Sequence, residues 1–295
     1  MAEQKLILKD NKNIALVYRL QTAEAVALAK KIAAWLKDKG YNVFTAPQQT
    51  VIAGTKPIKG KAASLDKIGL VIALGGDGTY LRAVRILEGR QIPIVGINMG
   101  SLGFLTGNRA EDAFKVLEET LENKMDLRPR SMIHVFVRRK GKIRAEYHAL
   151  NDVVIERGQG SHLISTAIYS EKFLVSEVKA DGFIIASPTG STAYNLAAGG
   201  PILHPEAKVF VVTPVAPHSL TSRPLILPDD LHMSFKMDAR SQKAQLIVDG
   251  QNETEITPED EVVIKRSQYD HWVVRAPKHN YFHLLREKLK FGDRA

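Results

Sequence analysis

The sequence predicts an α+β chain in two domains: an N-terminal α/β domain on a Rossmann-like parallel sheet, and a C-terminal β-rich, sandwich-like domain. Three observations carry this. Apolar strand-like runs alternate with amphipathic helix-like stretches through Lys124, the pattern of right-handed crossovers between parallel strands. From Ser131 onward the pattern shortens to stretches of a few residues separated by turn residues. The last stretch, Tyr281 to Lys290, is helical again and is expected to return to the first domain. The expected boundaries are 1–127 with 281–295 for the first domain, and 128–280 for the second.

Taken in order, Asn13 to Arg19 reads as a short apolar strand. Thr22 stands where a helix cap belongs, and Leu28, Ile32, Trp35 and Leu36 share one helical face behind it. Gly40 stops that helix and Tyr41 to Thr45 resumes as a strand. Ile68 to Leu74 forms the next strand, Tyr80 to Leu87 a helix, Ile92 to Ile97 a strand, and Ala110 to Lys124 a helix. Asp126 to Arg130 reads as a crossing segment. The second domain then offers strands at 133–137, 153–155, 165–169, 183–186, 209–212, 244–248, 261–264 and 271–274.

Composition narrows the function classes. With 295 residues, 44% hydrophobic and 25% charged, the chain is an ordinary globular protein. It lacks an 18-residue apolar stretch, its first residues lack the apolar core of a signal peptide, and no membrane partner is expected. Zero cysteines exclude disulfides and thiolate chemistry, and a cytoplasmic setting is expected. The net charge of +9 is spread along the chain without aromatic-interleaved basic motifs, so it suits anionic small molecules better than nucleic acid. The histidines His134, His148, His204, His218, His232, His271, His279 and His283 show no ligand spacing, and no metal-binding residue is assigned.

The chemistry concentrates at Gly75, Gly76, Asp77, Gly78 and Thr79, between the apolar strand and the Tyr80 helix. Glycines let backbone N–H groups approach an anion, and a helix N-terminus adds a favourable dipole. An acid inside a phosphate cradle repels the ligand, so Asp77 must do other work: hold a metal, or accept a proton from an attacking hydroxyl. The stretch Gly54 to Ala62 misses the P-loop pattern and reads as a flexible basic loop. A second strand and turn, Asp181 to Tyr194, clusters hydroxyls at a helix start that Ser191 would cap, with Gly199, Gly200 and Pro201 ending it. Such a start suits phosphate or ribose oxygens, and Tyr194 could stack on a base; a capped helix with a core tyrosine is the plainer alternative.

Together these motifs resemble the bacterial NAD kinases of the ATP-NAD kinase family. The resemblance rests on Gly75 to Thr79; Asn98, Gly100, Leu102, Gly103, Phe104 and Leu105; Asn151 to Ile155; Asp181 with Gly182; Thr189 to Tyr194; Gly199 to Pro201; and Asp249 to Gln251, in family order. The first motif alone is shared with diacylglycerol and sphingosine kinases and with phosphofructokinases. The resemblance implies transfer of the γ-phosphoryl group of ATP to the 2′-hydroxyl of the adenosine ribose of NAD. It also implies Mg²⁺ or another divalent metal and a homodimer or homotetramer. Asp77 would be the catalytic proton acceptor, with Gly75, Gly76, Gly78 and Thr79 shaping the phosphate loop. Asn151, Asp152, Asp181, Thr192, Ala193, Tyr194, Asp249 and Gln251 would contact the dinucleotide, and His162 and Lys179 stand where relatives place polar residues facing it. Relatives commonly carry serines where this chain has Asn195 and Ala197, so ligand contact there loses hydroxyls. A lipid kinase and a non-catalytic nucleotide sensor remain the rival functions.

Overall fold

The computed structural model describes residues 4–8, 11–58, 65–158, 162–277 and 280–290. The basic loop expected at 54–62 lies outside them from residue 59 onward, as does His279. The chain divides into two compact units, Met1–Pro129 with His271–Ala295, and Arg130–Asp270.

The first unit opens with β1 (Gln4–Lys5), β2 (Asn13–Tyr18), α1 (Ala23–Asp38), β3 (Asn42–Thr45) and β4 (Lys56–Pro57). It continues with β5 (Leu70–Gly75), α2 (Asp77–Ile86), β6 (Ile94–Asn98), β7 (Asn108–Arg109), α3 (Ala113–Leu121) and β8 (Asp126–Arg130). A returning strand, His271–Arg275, and a returning helix, Tyr281–Leu289, complete it. The strand order is β1, β8, returning strand, β6, β5, β2, β3, β4, with β7 pairing β6. Every pairing from the returning strand through β4 is parallel. Strands buried on both faces explain why Leu70 to Gly75 is an unbroken apolar run. From β2 the chain goes one way to β3, then crosses to the other side of β2 to make β5. The carboxyl ends of β2 and β5 therefore flank the switch point where wound sheets gather ligands.

Two expectations change here. Asp126–Arg130 is a strand, pairing with β1, rather than a crossing segment. The strand at His271, read with the β-rich half, instead lies beside β6, with Val273 opposite Ile94. One expected cap also differs. Thr22 sits at the cap position of α1, but its hydroxyl donates to the Leu20 carbonyl. Gly40 ends α1 as expected, with φ +81° and its N–H on the Lys37 carbonyl.

The second unit comprises two antiparallel sheets. The first runs Lys142–Ala149, Ile133–Arg139, Asp260–Arg266, Met233–Met237, Ile164–Ser170, Phe173–Ala180 in spatial order. The second runs Leu225–Pro228, Val209–Val215, Gly182–Ala186, Asp152–Arg157, Ala244–Val248, Asn252–Ile256. One apolar core joins their inner faces, with Val135, Val137, Phe235 and Val262 from one and Val153, Ile155, Phe183 and Leu246 from the other. That is a sandwich. The outer side of the second sheet is also apolar: Val154, Ile184, Ala186 and Val211 pack with Leu203.

Candidate active site

In the first unit, β5 delivers Gly75 and Gly76, and α2 begins at Asp77, three residues earlier than the periodicity places it. Gly78 and Thr79 are therefore first-turn helical residues; the Thr79 N–H donates to the Gly76 carbonyl at 2.9 Å, and the amides of Asp77 and Gly78 come before the first intrahelical bond. A Cβ added at Gly76 or Gly78 would meet nothing within 4 Å. The bare backbone faces open space, which leaves room for an anion against the helix N-terminus.

Asp77 is held by the loop that follows β6. Its Oδ1 accepts from the Leu105 N–H at 3.1 Å, the Thr106 N–H at 3.0 Å and the Thr106 hydroxyl at 2.9 Å. Among the described residues its Oδ2 accepts only from the Phe104 N–H, at 2.8 Å. A carboxylate offers about four lone-pair sites, so Oδ1 is fully used and Oδ2 keeps capacity for one more donor. The glycine at 103 is needed for this approach, since a Cβ there would lie 2.0 Å from Asp77 Oδ1. Asn98 braces the same loop, donating to the Thr106 hydroxyl at 2.8 Å and accepting from the Gly100 N–H at 2.6 Å. The Asn98 to Leu105 motif is thus the other wall of the Asp77 site. Sequence reasoning missed Thr106, whose type and position carry no distinguishing mark. It missed Arg275 too, which is buried and donates to the Phe104 carbonyl at 2.6 Å.

In the second unit, Asp249 is the organising acid. It stands in the turn after Ala244–Val248 with φ +49°, followed by Gly250 at φ +62°, the left-handed pair that a tight hairpin requires. Its carboxylate accepts from the N–H groups of Leu150 at 2.9 Å, Asn151 at 2.8 Å and Asp152 at 3.1 Å. The Asn151 carbonyl accepts from the Ser187 N–H at 2.8 Å, and Gly190 packs so closely on it that a Cβ would lie 2.1 Å away. Asn151, Asp152, Asp249 and the start of the Thr189 to Tyr194 turn are therefore brought together. Gln251 closes the hairpin, its N–H on the Val248 carbonyl.

Burial pushes the Asp249 carboxyl up to about 6 against the pull of its three amides. Burial first, and the Asp249 charge second, push Asp152 up to about 7. The folded state thus holds the Asp152 proton over a range where the unfolded chain has released it. The associated stabilisation is complete below about pH 4 and disappears as the pH climbs through about 7. Asp152→Asn is expected to gain stability relative to the parent as the pH rises across that window. Denaturant unfolding at several pH values checks this, and a constant difference between the two proteins would refute it.

The remaining expected residues divide. Thr192, Ala193, Tyr194 and Ala197 have accessible surface, and Tyr194 is an exposed aromatic. Asn195 is fully buried: its amide donates to the Ser191 and Pro201 carbonyls and its oxygen accepts from Thr213. The ligand contact expected of Asn195 gives way to a structural role. Ser191 is also buried, donating to the Pro188 carbonyl and accepting from the Leu203 N–H, so it does not cap the four-residue helix Tyr194–Ala197. Asp181 pairs with Arg157 at 2.6 Å. It precedes Gly182, at the opposite end of the strand from Ala186, which faces Asp152. His162 and Lys179 line a cavity of about 620 Å³ with Asp238, Arg240 and Ser241.

Strand pairing also gathers His134, Glu146 and His148, which their spacing did not reveal. The imidazoles of His134 and His148 stack at 4.2 Å and 18°, so their ring-plane lone pairs run side by side rather than converging on a point. Burial, with the neighbouring His134, lowers His148 to about 4. Burial lowers His134 as well, against the pull of Glu146.

Residues 14–125 match the ATP-NAD kinase N-terminal domain, and residues 150–276 match the ATP-NAD kinase C-terminal domain. An NAD kinase of Bdellovibrio bacteriovorus is 68% identical over 292 residues, covering 99% of this chain and 96% of the relative. An NAD kinase of Acidobacterium capsulatum is 38% identical over 284 residues, covering 96% and 100%. The crystal structure of an NAD kinase from Archaeoglobus fulgidus in complex with ATP is similar with TM-score 0.74 and 25% identity, over 94% of this chain and 98% of that one. Yeast NADH kinase, solved with NADH, shares the fold with TM-score 0.89 at 24% identity, over 96% and 88%. With both halves matched in order, and a relative this similar along nearly the whole length, the chain belongs to the ATP-NAD kinase family.

Proposed function

We propose that the chain transfers the γ-phosphoryl group of ATP to the 2′-hydroxyl of the adenosine ribose of NAD, giving NADP, with Asp77 as the group facing that hydroxyl. Family membership supports the reaction. The observation that carries the residue assignment is the uneven loading of the Asp77 carboxylate. Oδ1 is saturated by the loop, while Oδ2 keeps one acceptor position beside the open start of α2. In phosphoryl transfer the protein contributes positioning and charge stabilisation, not covalent chemistry. A hydroxyl donating to Oδ2 is oriented for attack, and its proton has an acceptor as the new P–O bond forms. The first amides of α2 and the exposed Arg19, at the carboxyl end of β2, supply positive charge for phosphates.

A divalent metal fits this arrangement. Mg²⁺ favours one or two carboxylates together with substrate phosphates, and the same Oδ2 position would hold it in place of the hydroxyl. When bound, the metal neutralises charge on the phosphates. In the second unit, Asn151, Asp152 and Asp249 with Thr192, Ala193 and Tyr194 form the dinucleotide contact. Asp152, held near neutrality, can donate or accept there. The chain assembles as a homodimer or homotetramer in a cytoplasmic setting, and sedimentation velocity tests the assembly. The activity is tested by incubating pure protein with NAD, ATP and Mg²⁺ and detecting NADP enzymatically; no NADP would refute it.

Lys179 bears on the choice between NAD and NADH. Its exposed ammonium lines a cavity with His162, and a cation there disfavours the positively charged pyridinium of NAD. Lys179→Ala is expected to raise the NAD over NADH rate ratio. Assays on both dinucleotides read this directly, and an unchanged ratio removes Lys179 from that role.

A further inference from the structure

We infer that Arg275 is a positioning residue for Asp77, acting through the peptide unit between Phe104 and Leu105; the inference rests on the reading of Asp77 given above. Arg275 ends the returning strand and is 4% exposed. A buried guanidinium is costly unless paired and fully hydrogen-bonded. Yet among the described residues no carboxylate forms an ion pair with Arg275, and its Nε has no partner. Among the described residues its side chain makes a single hydrogen bond, to the Phe104 carbonyl at 2.6 Å. Burial lowers its pKa, and the nearby Tyr80 and Asp77 oppose that shift. A charge kept under these conditions needs a reason beyond packing.

Peptide geometry supplies one. The unit joining Phe104 to Leu105 is planar and trans, so its carbonyl and its N–H point in opposite directions. The carbonyl accepts from Arg275, and the N–H donates to Asp77 Oδ1 at 3.1 Å. Fixing one end of the unit therefore aims the other. The preceding N–H, of Phe104, donates to Oδ2, the oxygen with a free acceptor position. A cationic donor on the carbonyl also polarises the peptide and strengthens its N–H as a donor. Arg275 thus holds the Leu105 amide directly and, through the backbone of Phe104, steadies the Phe104 amide, two of the three amides that orient the carboxylate.

The test is a double-mutant cycle on the full chain. Arg275→Met is expected to lower kcat roughly tenfold to a hundredfold, the scale of one charge-assisted hydrogen bond. KM for ATP and for NAD should stay within about twofold, because ground-state binding is untouched. Arg275→Lys should recover part of kcat by restoring a cationic donor. Amide exchange at Phe104, Leu105 and Thr106 should quicken in the Met variant. In an Asp77→Asn background the Met substitution should cost less than about a further twofold, since both act through the same carboxylate. Unchanged kcat, a rise in KM alone, or multiplicative losses in the cycle would each overturn the inference. If Arg275→Met does not fold, Arg275→Lys and Arg275→Gln carry the same comparison, and failure of all three to fold assigns Arg275 to stability and overturns it. A near-normal Asp77→Asn enzyme would instead sink the reading of Asp77, whereas an inactive Asp77→Asn enzyme with an active Arg275→Met enzyme sinks only the inference.

Discussion

Asp77→Asn is expected to lower kcat by roughly 10²- to 10⁴-fold, the usual contribution of a positioned proton acceptor, in a protein that still folds. The substitution keeps size and shape. An amide oxygen at the Oδ1 position still accepts from Leu105 and Thr106. The NH₂ group then falls at Oδ2, against the Phe104 N–H, where two donors face each other. The loop loosens there at a cost of about 1–3 kcal/mol, and the free acceptor position is gone. Steady-state NADP formation measures the loss, and turnover close to the parent would remove Asp77 from the mechanism. A Mg²⁺ titration separates its two possible duties. If activity returns at high metal, Asp77 organises the ion; if it stays low at saturation, Asp77 serves the hydroxyl.

The largest loss of stability is expected from Asp249→Ala. Three backbone N–H groups lose their acceptor at once, in a site where the carboxylate is buried. An unsatisfied buried donor costs about 1–3 kcal/mol. Against this, burying Asp249 is itself unfavourable, as its raised pKa records. Alanine at φ +49° adds a strain that Asp and Asn tolerate better. The net expectation is a loss of about 3 kcal/mol or more, a large share of the 5–15 kcal/mol typical of a folded protein. Asp249→Asn should lose less, because one oxygen remains. Chemical denaturation of both variants checks the order, and an alanine variant within about 0.5 kcal/mol of the parent, the size of an ordinary surface change, would refute the role given to Asp249.

The first unit was legible in the sequence wherever a helix face or a doubly buried strand left a period, as at Ile32 and Leu36 or from Leu70 to Leu74. Asp126–Arg130 escaped because two arginines and a proline leave no apolar alternation. The hairpin strand Lys142–Ala149 escaped because it is largely exposed and charged, and Phe173–Ala180 because its apolar Phe173 and Leu174 are exposed side by side and break the alternation. His271–Arg275 was seen as a strand but given the wrong sheet. A short apolar run does not encode its neighbour, and here that neighbour is Ile94, far back in the chain. The site shows the same limit. Asp77 stood out because an acid among glycines is chemically odd. Its four donors did not, since three are backbone amides that no side chain advertises. Asn195 and Ser191 looked available because they are polar, yet polar residues at the start of a short buried turn are taken up by nearby carbonyls.

The strand His271–Arg275 lies between β8 and β6, inside the sheet rather than at its border. During synthesis, β2 through β8 leave the ribosome with a gap where that strand belongs. The gap is filled only after the whole Arg130–Asp270 unit has been translated. The sandwich has every strand it needs before the parallel sheet does. Chains cut short near their 3′-encoded end would therefore carry a well-made sandwich beside an unfinished sheet, and would have no kinase activity.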